Sequence, residues 1–263
     1  MSHLLTLGFL LVLLCGCRAP TRTAVMPNGP HLRVLTYNVN YGNPRPDQVV
    51  EIIRQSMAEI VCLQETSPQW ANYLRQTLSK EYQFMEFRDS KHRMGGGLGF
   101  LAKVQAHEVA YIPSATTWFD GWIMAFVTPI GPVQIINVHL RPPISDNGSW
   151  VSGYFTTSDK RQKEMEAFYQ ARAPQIPTLV LGDFNDSEGS VVVRWLETQG
   201  MTNALTQFNR YDPTWQWQTS TITLKRRMDH ILYASAFSCT AARVITAGSS
   251  DHFPVEAVFI KTP

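Results

Sequence analysis

The sequence predicts an α/β domain made of two sheets with helices packed on the outside, and three observations predict it. Helical and strand periodicities alternate at the start of the chain and again towards its end, with a run of short strands between them. A single eight-fold barrel would need a helix after nearly every strand, and the stretch 98–138 offers none. With 263 residues, 44% of them apolar and 17% charged, the chain is globular, and seven Trp with thirteen Phe supply bulk for one sizeable core. Disorder is excluded, and nothing demands a second domain. A net charge of +2 provides no strong field for a polyanion, so extended nucleic-acid binding is not implied.

The first stretch stands apart from that domain. Residues 4–14 are almost wholly apolar, no charged side chain precedes Arg18, and the run is short for a bilayer span. It reads as the core of a signal peptide, although Met1-Ser2-His3 brings no Lys or Arg. Leu14-Cys15-Gly16-Cys17 resembles the lipobox of bacterial lipoproteins, which implies that residues 1–17 direct export and that Cys17 becomes the lipidated N-terminus. The simpler alternative is an apolar segment packed on the domain. Export would place the protein at the cell envelope, on the periplasmic or extracellular face, held to the membrane by its lipid. Residues 18–30 are turn-rich and aperiodic, as expected of a flexible tether, and the folded domain is expected over 31–263. With Cys15 removed and Cys17 modified, Cys62 and Cys239 remain. They suffice for one disulfide in an oxidising compartment, but Cys62 within Ile60-Val61-Cys62-Leu63 reads more simply as a small core residue.

Within the domain, residues 33–39 form a strand candidate with Asn38 near its end. Asp47 is placed to cap a helix whose apolar positions Val49, Val50, Ile53 and Met57 recur at helical spacing. A second strand, 60–64, ends in Glu65. Ser67-Pro68 then opens a helix carrying Trp70, Tyr73, Leu74 and Leu78 on one side. Strands at 98–101, 108–112, 122–127 and 133–138 read as an antiparallel meander that delivers His139, followed by Leu140-Arg141-Pro142-Pro143. Residues 144–156, with Trp150, Tyr154 and Phe155, read as a long surface loop, and 158–172 as a helix. The run Thr178-Leu179-Val180-Leu181 is a short buried strand that ends in Gly182-Asp183-Phe184-Asn185-Asp186. A helix at 191–198 stops near Gly200, and strands follow at 228–233, 239–245 and 255–260.

Asn38, Glu65, His139, Asp183, Asn185, Asp229, Asp251 and His252 all fall at strand ends or in the turns beside them. Each alone has a plain structural reading: an Asx-turn, a helix cap, a satisfied core histidine, half of an ion pair. Together they point to one shared polar mouth, because buried polar groups need partners. Asp183 and Asn185, two apart on a turn, suit the positioning of a water and of the oxygen it attacks.

The ordered set Tyr37-Asn38-Val39, Gln64-Glu65, Asn137-Val138-His139-Leu140, Gly182-Asp183-Phe184-Asn185, Met228-Asp229 and Ser250-Asp251-His252-Phe253-Pro254 resembles the endonuclease/exonuclease/phosphatase superfamily. The resemblance runs from about Arg33 to Ile260. It implies a four-layer αββα sandwich of two mixed, mainly antiparallel sheets, and a phosphodiester or phosphomonoester hydrolase that uses magnesium, or manganese in its place. By resemblance, Glu65 is the main metal ligand, with Asn38 and Asp251 assisting. Asp183 orients and deprotonates the water, and Asn185 holds water or phosphate by its amide. His139 and His252 stabilise charge on the phosphate, and Asp229 fixes the His252 tautomer. Hard oxygen donors agree with such a metal on physical grounds.

Asn40 stands where apurinic endonucleases often carry an acid, and His139 matches the deoxyribonuclease and sphingomyelinase types, which moves the expectation away from abasic-site repair. The substrate classes left open are nucleic acid, phospholipid and small organophosphate, and a monomer is expected. Arg141, beside His139, is a phosphate-binding candidate. Lys225-Arg226-Arg227 reads as a solvated loop, and Trp215 and Trp217 as stacking residues or loop anchors. The rival of another class is a non-catalytic envelope lipoprotein that keeps the fold for binding.

Overall fold

The computed structural model describes residues 22–262 apart from 91–93, 115–117, 146–147, 150–152, 154–155 and 209–210. The lipobox with Cys17, and the loop aromatics Trp150, Tyr154 and Phe155, lie outside the described residues.

One six-stranded sheet holds β1 (Leu32–Asn38), β2 (Ile60–Thr66), β3 (Phe84–Arg88), β4 (Gly97–Ala102), β13 (Phe237–Val244) and β14 (Val255–Lys261), in the order β13-β14-β1-β2-β4-β3. A second holds β5 (Ala106–Ile112), β6 (Gly121–Thr128), β7 (Gly131–His139), β8 (Thr178–Asp183), β9 (Met201–Asn203) and β12 (Asp229–Ala234), in the order β5-β6-β7-β8-β12-β9. The parallel pairs β1·β2 and β7·β8 sit inside otherwise antiparallel sheets. A separate hairpin, β10 (Trp215–Gln218) with β11 (Thr223–Arg226), completes the strands.

Strand alternation decides what faces what. On β1, Leu32 and Val34 enter the core between the sheets, while Leu35 and Tyr37 face outwards under α1 (Pro46–Ser56) and α2 (Pro68–Leu78). On β8, Leu179 and Leu181 face inwards, and Val180 packs with Met165 and Phe168 of α3 (Ser158–Gln170) and Val192, Val193 and Leu196 of α4 (Val191–Thr198). A short α5 (Ala204–Phe208) closes one end of the core. The layers are therefore helix, sheet, sheet, helix. Between the sheets Phe100 meets Trp122 edge-on, with centroids 5.0 Å apart and planes at 72°, a geometry worth about 0.5–1.5 kcal/mol beyond its buried area.

Several local expectations need correction. Arg45, not Asp47, is the N-cap of α1; Pro46 starts the helix, and Asp47 lies in its first turn paired with Arg45. Met57 is the exposed left-handed C-cap, outside the buried stripe. The 98–138 strands are not one meander: β4 stays in the first sheet, and the chain crosses to the second sheet before β5. Periodicity cannot register that crossing, since the strands on both sides of it carry apolar residues that pack on the core. Lys225 and Arg226 lie on β11 rather than a loop, and Arg227 is buried against Glu188 at 2.8 Å. Cys62 and Cys239 are free, buried thiols in the central core, where burial pushes the Cys239 thiol up to about 12. The described part of the 18–30 stretch lies against the domain, with Arg22 N donating to Gln207 O at 2.7 Å and Val25 N to Thr240 O at 2.9 Å.

Candidate active site

The inward stripes turn polar as they approach one end of the sandwich. On β1 the inner positions run Leu32, Val34, Thr36, Asn38; on β7, Val133, Ile135, Asn137, His139; on β8, Leu179, Leu181, Asp183. One layer below the mouth, Gln64 Nε2 donates to Asn137 Oδ1 at 2.7 Å and to Thr36 Oγ1 at 3.0 Å, while Asn137 Nδ2 donates to the Leu63 and Gly99 carbonyls. This layer satisfies its own buried groups and ties the two sheets together beneath the site.

Glu65 reaches the mouth by a different route. Gln64 already faces inwards, so strict alternation would turn Glu65 outwards. A register shift between Gln64 and Thr66, with Glu65 at φ 59°, redirects it. Asn40 (φ 57°) and Asn185 (φ 49°) share that left-handed backbone, as does the helix cap Met57. Three of these four positions line one mouth, where the surroundings must hold a conformation that costs on the order of 1 kcal/mol or more.

Asp183 is the hub. Its Oδ2 accepts from Asn38 Nδ2 at 3.1 Å and Asn185 Nδ2 at 3.3 Å, and lies 3.5 Å from His139 Nε2 and 3.6 Å from His252 Nε2. Its Oδ1 accepts from Asn185 N at 2.8 Å. Burial pushes this carboxyl up to about 7, with the Asp229 charge adding to the rise and His252, the Asn185 N–H and the Asn38 amide opposing it. Asn185 also donates through Nδ2 to Leu140 O at 2.9 Å, so its amide nitrogen serves Asp183 and the β7 end. Asp186 is occupied in bracing: Arg161 Nε donates to its Oδ2 at 3.0 Å, and its carbonyl lies 2.9 Å from His230 Nε2.

His252 Nδ1 faces both oxygens of Asp229, at 2.9 and 3.2 Å. Burial opposes the imidazolium, but Asp229 and Asp183 outweigh it and raise the group to about 10. Thr214 Oγ1 accepts from the Asp229 and Met228 N–H groups, and Ser250 Oγ accepts from His252 N while donating to Asn38 O. His139 behaves in the opposite way. It is stacked on Phe119 with centroids 3.8 Å apart and planes at 18°, and its Nδ1 has no hydrogen-bond partner among the described residues. Burial pushes it down to about 3, the His252 charge adds to the fall and the Gly95 carbonyl opposes it, so His139 is neutral at pH 7.

Glu65 accepts from Asn38 Nδ2 at 3.0 Å and Tyr41 N at 3.2 Å, and forms no ion pair among the described residues. Burial raises its carboxyl, and the Asp251 charge adds to the rise. Asp251 is held at both oxygens, by Asn40 Nδ2 at 2.8 Å and Trp215 Nε1 at 3.3 Å. Two acidic groupings are thus available to a cation. Asp183, Asp229 and His252 each offer a ligand atom within 4.8 Å of the others and could hold a metal ion. Glu65 with Asp251 and the Asn38 amide offers hard oxygen donors; the His252 charge draws the Glu65 carboxyl down, but neither carboxylate forms an ion pair among the described residues.

The structure brings seven expected residues to this mouth: Asn38, Glu65, His139, Asp183, Asn185, Asp229 and His252. Asp251 joins them at the rim. Arg141 is buried beside the mouth, its guanidinium 5.0 Å from the Trp118 ring centroid and donating to Ile144 O at 3.1 Å. Phe119 and Thr214 also serve the mouth without any mark in the sequence. Each acts through packing or a backbone contact across the fold, and neither ends a regular strand.

The endonuclease/exonuclease/phosphatase family model matches residues 35–252 of the chain. No curated protein sequence gives a significant match. Solved structures with similar folds include an endonuclease/exonuclease/phosphatase from Beutenbergia cavernae, with TM-score 0.66 and 16% identity over 88% of this chain and 72% of that one. TDP2 from D. rerio, solved with a single-strand DNA product, gives TM-score 0.68 and 18% identity over 87% of this chain and 98% of that one. The human Nocturnin catalytic domain, solved with a bound sulfate, gives 0.65 and 17% over 89% and 94%.

Proposed function

The chain belongs to the endonuclease/exonuclease/phosphatase family, whose members hydrolyse phosphoester bonds, and from that premise we propose that it is a metal-dependent phosphoesterase with Asp183 as its base. The observation that carries this assignment is the convergence of Asn38, His139, Asn185 and His252 on the single oxygen Asp183 Oδ2. A buried carboxyl held near pH 7 is matched to taking a proton from water at neutral pH.

Glu65, Asn38 and Asp251 would hold a divalent cation, magnesium or manganese, since they offer hard oxygen donors and neither carboxylate forms an ion pair among the described residues. In the Asp183, Asp229 and His252 group the imidazole lies directly against both carboxylates, 3.6 Å from Asp183 and 2.9 Å from Asp229, and would compete with a cation there. A bound dication would supply positive charge to the phosphate oxygens and help align them. Asp183 accepts the proton of the attacking water, and the Asn185 N–H fixes the carboxylate that does so. The His252 imidazolium, kept charged by Asp229, donates to a phosphate oxygen as negative charge builds there. Neutral His139 adds a hydrogen bond rather than a charge. No covalent enzyme intermediate is needed, because positioning and electrostatics carry most of phosphoryl transfer.

The N-terminal sequence extends the proposal to location: export, lipidation at Cys17 and attachment at the cell envelope. Mass analysis of the mature protein tests this, and an unmodified chain retaining Met1 would overturn it. Hydrolysis itself is tested with nucleic acid, bis-p-nitrophenyl phosphate, phospholipid and sugar-phosphate substrates, with magnesium and then with EDTA. Metal-dependent turnover of at least one class is expected. Binding without turnover of any would favour the non-catalytic lipoprotein.

A further inference from the structure

The mouth occupies one end of the sandwich, and strand register defines the other. β1, β2, β7 and β8 start at that far end, the base, while β4, β12 and β14 finish there. Leu32 at the base and Asn38 at the mouth are six strand positions apart, a separation of about 20 Å.

The segment leading back to Cys17 is fastened near the base. Besides the backbone bonds of Arg22 and Val25, Arg22 Nη1 donates to Gln207 Oε1 at 2.8 Å, and Gln207 Nε2 donates to Tyr233 Oη at 2.6 Å. Tyr233 is one position from the base end of β12. Thr240, which holds Val25, follows Cys239, and Cys239 pairs with Phe259, the partner of Leu32. Five chain steps separate Arg22 from Cys17, and an extended chain gains at most about 3.6 Å per step. A lipid on Cys17 would therefore hold Arg22 within about 18 Å of a bilayer.

The base carries charge suited to such a surface. Arg22, Arg33, Lys80, Lys103, Arg172 and Lys261 lie on it or in the loops that border it, and none is ion-paired among the described residues. The acids at this end are Glu59, Glu197 and Glu81, the last paired with Arg54 at 2.8 Å. Val25, Met26, Met57 and Val127 add exposed apolar side chains. The mouth is opposite in character, with Glu65 and Asp251 outside any ion pair among the described residues. An anionic bilayer gains about fivefold in affinity per nearby Lys or Arg and repels carboxylates. Trp217, Ile222 and Leu224 of the hairpin are exposed too, but beside the Asp251 loop and away from the tether.

We propose that the base of the sandwich is a docking surface for an anionic lipid bilayer, which turns the mouth away from the membrane and opens it to the aqueous phase. The tether rests on the lipidation of Cys17 given above, whereas the charged surface stands without it.

The test places the full chain on vesicles of phosphatidylcholine with or without phosphatidylglycerol and measures energy transfer from a dye to an acceptor lipid. The dye sits on Ser235→Cys at the base or on Ser220→Cys at the hairpin, both exposed, while Cys62 and Cys239 are buried. With phosphatidylglycerol present, the base dye should transfer more strongly than the hairpin dye. Combining Lys80→Glu, Lys103→Glu and Lys261→Glu should collapse that difference. A hairpin dye that transfers as strongly as the base dye, or more strongly, overturns the proposal, as does a difference that survives the three reversals.

Mass analysis of the same sample reports separately on lipidation. Should Cys17 carry no lipid, co-flotation of the unlabelled full chain with phosphatidylglycerol vesicles judges the surface alone, since residues 4–14 are the same in every variant. The three reversals should weaken binding at least about a hundredfold, and high salt should weaken wild type, whereas Lys225→Glu at the hairpin should change little. Equal binding by wild type and the triple variant overturns the docking surface. So does a single-stranded oligonucleotide bound through the same lysines without any preference for phosphatidylglycerol vesicles.

Discussion

His252 and Asp229 face one another through the imidazole Nδ1, which lies 2.9 and 3.2 Å from the two carboxylate oxygens, both side chains being buried. That contact leaves Nε2 directed at Asp183, 3.6 Å away, so a carboxylate on either side holds the imidazole charged. Asp229→Asn should keep the hydrogen bond in weakened form and remove its charge. We expect kcat to fall by roughly ten- to a hundredfold and the His252 resonances, followed by NMR, to titrate at lower pH than in wild type. An unchanged His252 titration would contradict the role given to Asp229.

The pH profile follows from the same pair. Asp183 must be ionised to take a proton, and its carboxyl is raised to about 7, so activity rises as pH climbs through that value. His252 must stay charged and is raised to about 10, so activity falls as pH passes it. A plot of kcat/KM against pH should show a plateau between these limits. In Asp229→Asn both limbs should move to lower pH, because the carboxylate raises both groups.

Replacing Asp183 with Ala should lower turnover at least about a hundredfold while circular dichroism shows a folded chain. Turnover near the wild-type level would sink the assignment of the base.

Metal binding is separable from turnover. In wild type, magnesium at about a hundred times its Kd should stabilise the fold by about 2.7 kcal/mol, seen as a raised Tm. Glu65→Gln should abolish that shift; Gln keeps one of the two acceptors, for Asn38 Nδ2 or for Tyr41 N, and sets its NH2 against the other donor, so a somewhat lower metal-free Tm is expected beside the lost shift. A full magnesium shift in Glu65→Gln would place the cation elsewhere, with Asp183, Asp229 and His252 the next candidates.

His139 supplies a stability prediction whose sign is fixed. Its folded value is about 3, below the roughly 6.5 of an unfolded chain. As pH falls, the unfolded state binds the proton first. Stability from this group is full above about pH 6.5 and is lost down to about 3, by at most about 1.4 kcal/mol per pH unit. Phe119→Ala uncovers the ring stacked at 3.8 Å. NMR titration should then find His139 nearer its ordinary value, with a shallower loss of stability in acid.

The strand ends were legible because polarity at the end of an apolar run is a one-dimensional signal, and Asn38, His139 and Asp183 follow it. Glu65 was legible as a strand-end acid, but the bulge that turns it inwards was not, since a left-handed residue leaves no mark when it is not Gly. In the sequence Gly182 marks only the end of an apolar run. Its φ of 142° and its backbone contact show more, for a Cβ there would stand 1.9 Å from Val138 O in the neighbouring strand.

By itself, the sequence determined the apolar stripes, most of the helices and strands, the family, and the candidate residues, because each depends on the order of side chains along a few residues. Only the tertiary structure decided that four nitrogens from separate segments meet at one oxygen of Asp183, and that one histidine is charged while the other is neutral. Those properties depend on burial and on neighbours far apart in the chain. Asn38 and Asp183, which are in contact, are 145 residues apart, and no local pattern records the low-dielectric surroundings that shift a titrating group.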